Sequence, residues 1–239
     1  MEKRIEQIRE SEKKSHIEMY SNKELYKTDS WMKKPIKTIQ ELLPLFEGYQ
    51  VLRVLDLGCG VGRNSIAIAR EYHDIDCIVE CVDILELAIE KLYLNAREYE
   101  VTANIHGVVD TIENYVINKN SYDLIIAVSA LEHVETEEAF INKLEDIKAG
   151  IRDDGIVCLV INSNVEERDR VTGQDIPALF EVNYDTEKLQ SILSNVFAGW
   201  KVLKSTVIGQ QYDIPREKGI SDLTTNVVTL VVRKCREII

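Results

Sequence analysis

Val54-Leu55-Asp56-Leu57-Gly58-Cys59-Gly60-Val61-Gly62-Arg63-Asn64 is the stretch whose reading decides the fold. An apolar run from Arg53 to Leu57 reads as a strand, a glycine-rich turn follows, and Asn64 to Tyr72 reads as a helix. The glycines stand as G-x-G-x-G; they permit positive φ and let a ligand come close to the backbone. A helix start offers N–H groups to a carboxylate or phosphate. Arg63 occupies the place where a dinucleotide fingerprint puts its last glycine. Asp56 lies two residues before the first glycine, where an acid can hold a cationic amine directly or through water. Asp83 follows the next strand, Asp76 to Val82, about twenty residues after the turn, where a carboxylate can accept both hydroxyls of a ribose.

Working outward, strands and helices alternate. Leu85 to Glu100 reads as a helix with Leu85, Ala88, Leu92 and Ala96 on one face. Ile105 to Val109 and Asp123 to Val128 read as the third and fourth strands. Thr136 to Arg152 is amphipathic, with Phe140, Leu144, Ile147 and Ile151 recurring on one face. Asp153-Asp154-Gly155 reads as a turn, and Ile156 to Ile161 as a strand apolar enough to be buried on both faces. This alternation predicts an α/β fold with a parallel sheet and helices on both sides. Upstream, Pro35 opens a helix carrying Ile36, Ile39, Leu42, Leu43 and Phe46, and Gly48 closes it. Downstream, residues 163–184 read as a polar loop, and Asp185 is placed to cap a helix carrying Leu189, Ile192, Leu193 and Val196. Lys201 to Ile208 and Asn226 to Arg233 read as strands that close the sheet as an antiparallel hairpin, with 209–225 as the loop between them.

Residues 1–34 are polar and charged. Ile5, Ile8, Glu12 and His16 fall at helical spacing, and Tyr20, Tyr26 and Trp31 mark an arm that either covers a site as a lid or packs onto the core. The expected organisation is therefore an arm over 1–34 and a single domain over 35–239.

The chain carries a formal net charge of −12, which opposes binding to phosphate backbones. Nucleic acid is disfavoured as a partner on that ground. No apolar run approaches the ~20 residues of a membrane helix, and the first residues lack a signal-peptide core, so a cytoplasmic protein without membrane contact is expected. The cysteines, Cys59, Cys77, Cys81, Cys158 and Cys235, number five. Cys77 and Cys81 share one strand, which holds them about 13 Å apart and forbids a disulfide between them. They read as small buried hydrophobes.

The pattern D-x-G-x-G-x-G followed by an acid at the end of the second strand resembles the class I S-adenosylmethionine-dependent methyltransferases. The likeness continues in Val109-Asp110-Thr111, in Tyr122 to Val134 around the fourth strand, and in Asp154-Gly155 before the fifth. It covers about residues 36–162, and the C-terminal helix and hairpin more loosely. It implies a Rossmann-like, seven-stranded, mostly parallel sheet with an antiparallel C-terminal hairpin strand. It also implies roles. Gly58, Cys59 and Gly60 bring backbone against the methionine part of S-adenosylmethionine. Asp56 faces its amino group or orders the loop. Asp83 binds the ribose, and Ile84 packs on the adenine. Asp110 accepts from the adenine amine, with Thr111 beside it, unless Asp110 only caps the next segment. Val128 and Ser129 border the sulfonium. Asn64 and Ser65 are read as starting the helix rather than touching ligand.

Methyl transfer is an in-line displacement in which alignment supplies much of the acceleration. A base is needed only where the nucleophile arrives protonated. His133 is the candidate, weighed against a purely structural role at the start of the next segment. Glu132-His133 raises the question of a metal, but Ser129 stands where some quinone-modifying relatives have a further acid, so no metal is expected. The N/D-P-P-Y motif of amine-directed nucleic-acid and glutamine enzymes is absent; Ser129-Ala130-Leu131-Glu132 stands there. The resemblance therefore points to the small-molecule branch, of tellurite-resistance, thiol and ubiquinone type, with loops 163–184 and 209–225 shaping the acceptor pocket. Two alternatives stay open. One is an NAD-dependent oxidoreductase, opposed by Arg63 and Asp56. The other is a non-catalytic S-adenosylmethionine-binding partner.

Overall fold

The computed structural model describes residues 5, 8–10, 13, 20, 24–27, 32–216 and 219–236. Glu12, His16 and Trp31 lie outside them. The elements run α1 (Lys37–Leu42), β1 (Val51–Leu57), α2 (Ser65–Glu71), β2 (Asp76–Asp83), α3 (Glu86–Glu98), β3 (Ile105–Val109), β4 (Tyr122–Val128), α4 (Glu137–Gly150), β5 (Ile151–Asp169), β6 (Asp175–Ile176), α5 (Thr186–Val196), β7 (Lys201–Arg216) and β8 (Gly219–Arg233). The sheet order is β3-β2-β1-β4-β5-β8-β7, with β6 paired to β5. β3, β2, β1, β4 and β5 are parallel; β8 is antiparallel to both β5 and β7. This is the mixed α/β sheet expected, with the antiparallel strands at its C-terminal edge.

Both faces of the sheet are covered, which is why β4 can be apolar at nearly every position. One core holds Ile39, Phe46, Leu52, Ile66 and Leu92. The other holds Phe140, Leu144, Ile147, Leu189 and Leu193 from α4 and α5. α3 buries Ala88, Ile89, Leu92 and Ala96, the spacing of one helical face. The Thr136 side chain caps α4 by accepting from the Ala139 N–H at 3.0 Å. Asp185 stands at the N-cap of α5 but makes no side-chain cap bond.

Three boundaries differ from expectation. α4 stops at Gly150, and Ile151 and Arg152 begin β5; Ile151 pairs with Tyr122 and is fully buried in the same core the helix faces. Asp153-Asp154-Gly155 is a bulge inside β5, with Asp154 at φ 64°. Neither 163–184 nor 209–225 is simply a loop. Ser163 to Asp169 continue β5 against β8, and 209–225 fall almost wholly within the paired ribbon of β7 and β8. The strand signal was hidden because inward positions carry polar residues. Ser163 donates to the Asn226 carbonyl at 2.8 Å. Glu167, with no exposed side-chain surface, accepts two bonds from Arg216 at 2.6 and 2.5 Å and one from Ser221. Cross-strand partners replace the apolar alternation that marks a strand.

At the N-terminal end, Ile8, Leu25 and Met32 are buried, and Tyr20 and Tyr26 pack against the first core. Cys59, Cys77, Cys81 and Cys158 are buried free thiols, and Cys235 is exposed. No helix among the described residues is long and apolar enough to cross a membrane.

Candidate functional site

The strand order reverses between β1 and β4, and a doubly wound sheet opens a crevice at the carboxyl ends of its strands at such a point. A cavity of about 700 Å³ lies there, within the range of small-molecule sites.

One end of it is the glycine turn. Gly58 and Cys59 donate their N–H groups to the Val82 carbonyl at 2.8 and 3.0 Å. Gly60 donates to Asp83 Oδ2 at 2.8 Å, and Asp83 Oδ1 accepts from the Leu85 N–H at 2.9 Å. These N–H groups thus lash β1 to the end of β2, and at Gly58 and Gly60 the turn presents backbone without a Cβ to the cavity. Gly58 has φ +74° and a Cβ there would collide with that of Ala130; Gly60 has φ +53° and a Cβ there would sit 2.8 Å from the Tyr20 hydroxyl. Asp83 is 9% exposed and lines the cavity beside Ile84, an apolar side chain left 49% exposed.

Of the other residues assigned from sequence, Thr111, Val128 and Ser129 line the cavity with Gly58, Cys59, Gly60 and His133. Ser129 holds φ 50° while its N–H donates to the Val160 carbonyl at 2.7 Å, so the chain turns sharply off β4. A left-handed non-glycine residue at a strand end is the kind of strain that functional sites keep.

Two assigned acids are not among the cavity lining. Asp56 is 2% exposed, points beneath the turn and accepts from the Ser65 hydroxyl at the start of α2. Burial pushes its carboxyl up to about 7, with the Ser65 bond pulling down and Asp83 adding to the rise. Asp110 accepts from the Thr111 N–H at 2.8 Å, so it caps its own turn. Asn64, read as a helix starter, does stand at the N-cap of α2, yet makes no capping bond. It accepts from the Ile36 N–H at 3.2 Å and lines the cavity. Burial, then the Cys81 thiol, push the Cys59 thiol well above the ordinary thiol range.

The opposite end was largely missed from sequence. His133, in a short 3-10 turn over Leu131–His133, places Nδ1 3.0 Å from Glu181 Oε2. Its ring stacks on Phe180 at 5.0 Å. Arg9 reaches in from the N-terminal segment, ion-paired with Glu113, with Glu135 at 3.0 Å and with Glu181 at 3.7 Å. Arg9, Glu10, Lys13, Tyr20, Glu113 and Glu181 all line the cavity. Within 163–184, Glu181 reaches the wall; none of the described residues of 209–225 does. Arg63, next to the turn, bonds to Tyr26 and Lys34. Tyr26 donates to the Arg63 carbonyl at 2.7 Å, and Arg63 Nε donates to the Lys34 carbonyl at 2.8 Å. Glu132 is buried, accepts from Asn162 at 3.0 and 2.5 Å, and its carboxyl is raised by that burial against the pull of His133. Among the described residues no group of three or more His, Cys, Asp or Glu is placed to hold a metal ion.

A family model described as a methyltransferase domain matches residues 54–155. The chain is 34% identical over 85 residues to human tRNA N(3)-cytidine methyltransferase METTL2B, a match covering 34% of this chain and 22% of that protein. It is 32% identical over 111 residues to a ubiquinone biosynthesis O-methyltransferase of Rickettsia canadensis, covering 46% and 44%. The match thus spans less than half of either relative's length. TehB from Haemophilus influenzae shares the fold, with a TM-score of 0.60 at 19% identity over 82% of this chain and 62% of that one. The matched segment runs from β1 through the bulge of β5 and carries the glycine turn, Asp83 and His133, and over it the chain is similar to methyltransferase domains.

Proposed function

We propose that this chain is a methyltransferase that takes its methyl group from S-adenosylmethionine and passes it to a small-molecule acceptor held in the same cavity. The observation that carries the reading is that one cavity joins two chemically different ends. At one end stand a glycine turn, a strand-end carboxylate and an exposed isoleucine; at the other stand an imidazole, carboxylates and an arginine.

The first end fits the donor. Asp83 is already fixed by two backbone N–H groups, and a carboxylate so held has oxygen lone pairs to offer ribose hydroxyls. Ile84 offers an apolar surface to a flat purine. Gly58 and Gly60 let a bulky chain lie against the backbone. Val128 and Ser129, at the sharp turn off β4, border the reacting centre. When bound, the donor supplies an activated methyl on a sulfonium. The protein's part is alignment and exclusion of water, to which Tyr20 and the segment around Arg9 contribute by walling the cavity. Arg9 and Lys13 suit an acceptor with oxygen functions, and His133 is the group placed to take a proton.

The small-molecule reading is supported by the net charge of −12. Transfer RNA, the substrate named for one set of relatives, is tested beside it. The experiment measures S-adenosylmethionine binding by calorimetry and S-adenosylhomocysteine release with phenols, thiols, amines, tellurium oxyanions and transfer RNA. Binding with turnover on one small-molecule class is expected. Asp83→Ala should weaken donor binding by ~1–3 kcal/mol, the scale of lost hydrogen bonds at a buried site. NAD binding in place of S-adenosylmethionine, or turnover confined to RNA, would overturn the reading.

A further inference from the structure

We propose that the outer edge of β7 is the docking surface for a second copy of this chain. The two β7 strands pair antiparallel across a two-fold axis, and the two sheets run on as one.

β7 ends the sheet order, and among the described strands it pairs with β8 alone. Its ladder with β8 runs from Lys201 to Arg216. On its other side a long row of main-chain N–H and C=O groups therefore has no strand to bond. The opposite edge of the sheet differs: β3 has five residues, and so short an edge offers little to pair with.

Edge strands are ordinarily kept apart by charged side chains, prolines and bulges. β7 has all three, but only towards its ends. A bulge lies between Val202 and Lys204, Lys201 and Lys204 stand at the start, and Asp213, Pro215 and Arg216 stand at the finish. Between them, Ser205-Thr206-Val207-Ile208-Gly209-Gln210-Gln211-Tyr212 holds no charge and no proline. Every residue from 207 to 213 is exposed, so neither face of this stretch is packed. Ile208 is 54% and Tyr212 45% exposed, while Leu223, Val228 and Leu230 of the neighbouring β8 are buried. Residues of this type gain stability from a cross-strand neighbour, and on the outer side of β7 only another strand can supply one.

The sequence of β7 selects the occupant. In an antiparallel pair related by a two-fold axis, one residue faces itself and the others pair symmetrically about it. With Ile208 at the axis, Ser205 of each copy meets Gln211 of the other, Thr206 meets Gln210, and Lys204 meets Tyr212. No like charges oppose, hydroxyl meets amide, and the basic start of each strand lies beside the Asp213 end of the other. Parallel pairing would set lysine against lysine. Asp213 already pairs with Arg170, and Lys204 donates to Glu41 at 2.8 Å. These charges thus steer the orientation, and the main-chain ladder with Ile208 supplies the adhesion. The chain as a whole, at −12, repels its own copies. β7 carries three cations against one anion, so copies meet here with the least of that repulsion. No residue of β7 lines the cavity, and the docked pair leaves both cavities open.

The test is analytical ultracentrifugation of the full chain over a concentration series. A reversible dimer with dissociation in the ~µM range is expected. Ile208→Lys, at an exposed site, should keep the far-UV circular dichroism of the wild type. It should raise the dissociation constant ~10-fold or more by setting two ammonium groups face to face at the axis. Cross-linking reads the orientation, in a Cys235→Ser background that removes the exposed thiol. Ile208→Cys should give a covalent dimer on mild air oxidation, because residues directly opposite lie within disulfide reach. Lys201→Cys, about 45 Å from its symmetry mate in the antiparallel pair, should not. A wild type that stays monomeric up to ~0.5 mM, a dimer indifferent to Ile208→Lys, or equal cross-linking of the two cysteine variants would each overturn the proposal. Should Ile208→Lys lose its fold, the two cysteine variants decide alone.

Discussion

The two ends of the cavity are built in opposite ways. The glycine-turn end comes from residues 58–64 and 83–85, two neighbouring strand ends held in register by parallel pairing of β1 and β2. The histidine end draws on four separated stretches: Arg9, Glu113, Glu132-His133 and Phe180-Glu181. The first is a local motif stiffened by main-chain hydrogen bonds. The second is a set of side-chain contacts that only the folded chain assembles. A scaffold made this way can keep one end of its cavity while the other is rewritten by changes in loops.

Three changes test the contrast, taken from the largest expected effect downward. Gly58→Ala strikes the local end. The residue sits at φ +74° and its new Cβ would meet Ala130, so a loss of about 2–4 kcal/mol in urea unfolding is expected together with weakened donor binding. A stable variant with normal donor affinity would mean the turn tolerates a side chain and is not a close-approach surface.

The second concerns Asp56, buried beneath that turn. Its ordinary value is 3.8 and its folded value about 7, so the folded state binds this proton more tightly than the unfolded chain. The associated stability is present below pH ~4 and lost as the pH rises toward 7. Asp56→Asn, which cannot ionise, should flatten the decline in urea midpoint between pH 4 and 8, by on the order of 1–3 kcal/mol across that window. Parallel curves for the two proteins would place the proton elsewhere.

Arg9→Ala probes the assembled end and should have the smallest effect. Arg9 is partly exposed and joins three acids, so a stability loss of about 1 kcal/mol is expected. Donor affinity should hold while the acceptor KM rises several-fold. An equal loss of donor and acceptor binding would show that the two ends are not separable.

The sequence contained the parallel part of the fold almost residue by residue, because β1 to β4 and the helices between them are marked by apolar runs and helical periods that act over short distances. It was a poorer guide beyond Ile161. There Glu167 and Ser163 point inward, and their partners Arg216, Ser221 and Asn226 lie about fifty residues away or more, so polar side chains stand where a strand pattern needs apolar ones. The residues assigned to the donor from sequence divide in the same way. Gly58, Gly60, Asp83 and Ile84 are identifiable because a turn between two strand ends has its own spacing rules. The placement of Asp56 and Asp110 outside the cavity lining depended on which way each side chain turned at the end of its strand.

By itself, then, the sequence determined the parallel strands, the helices between them and the glycine-turn end, since those follow from backbone requirements that neighbouring residues must meet. Only the tertiary structure decided that Glu181 stands against His133 and that Arg9 reaches the same wall. Those contacts join residues separated by 48 positions for Glu181 with His133 and by more than 100 for Arg9 with Glu113 and Glu135. No local spacing rule encodes such meetings; they exist once burial and strand pairing have brought the segments together.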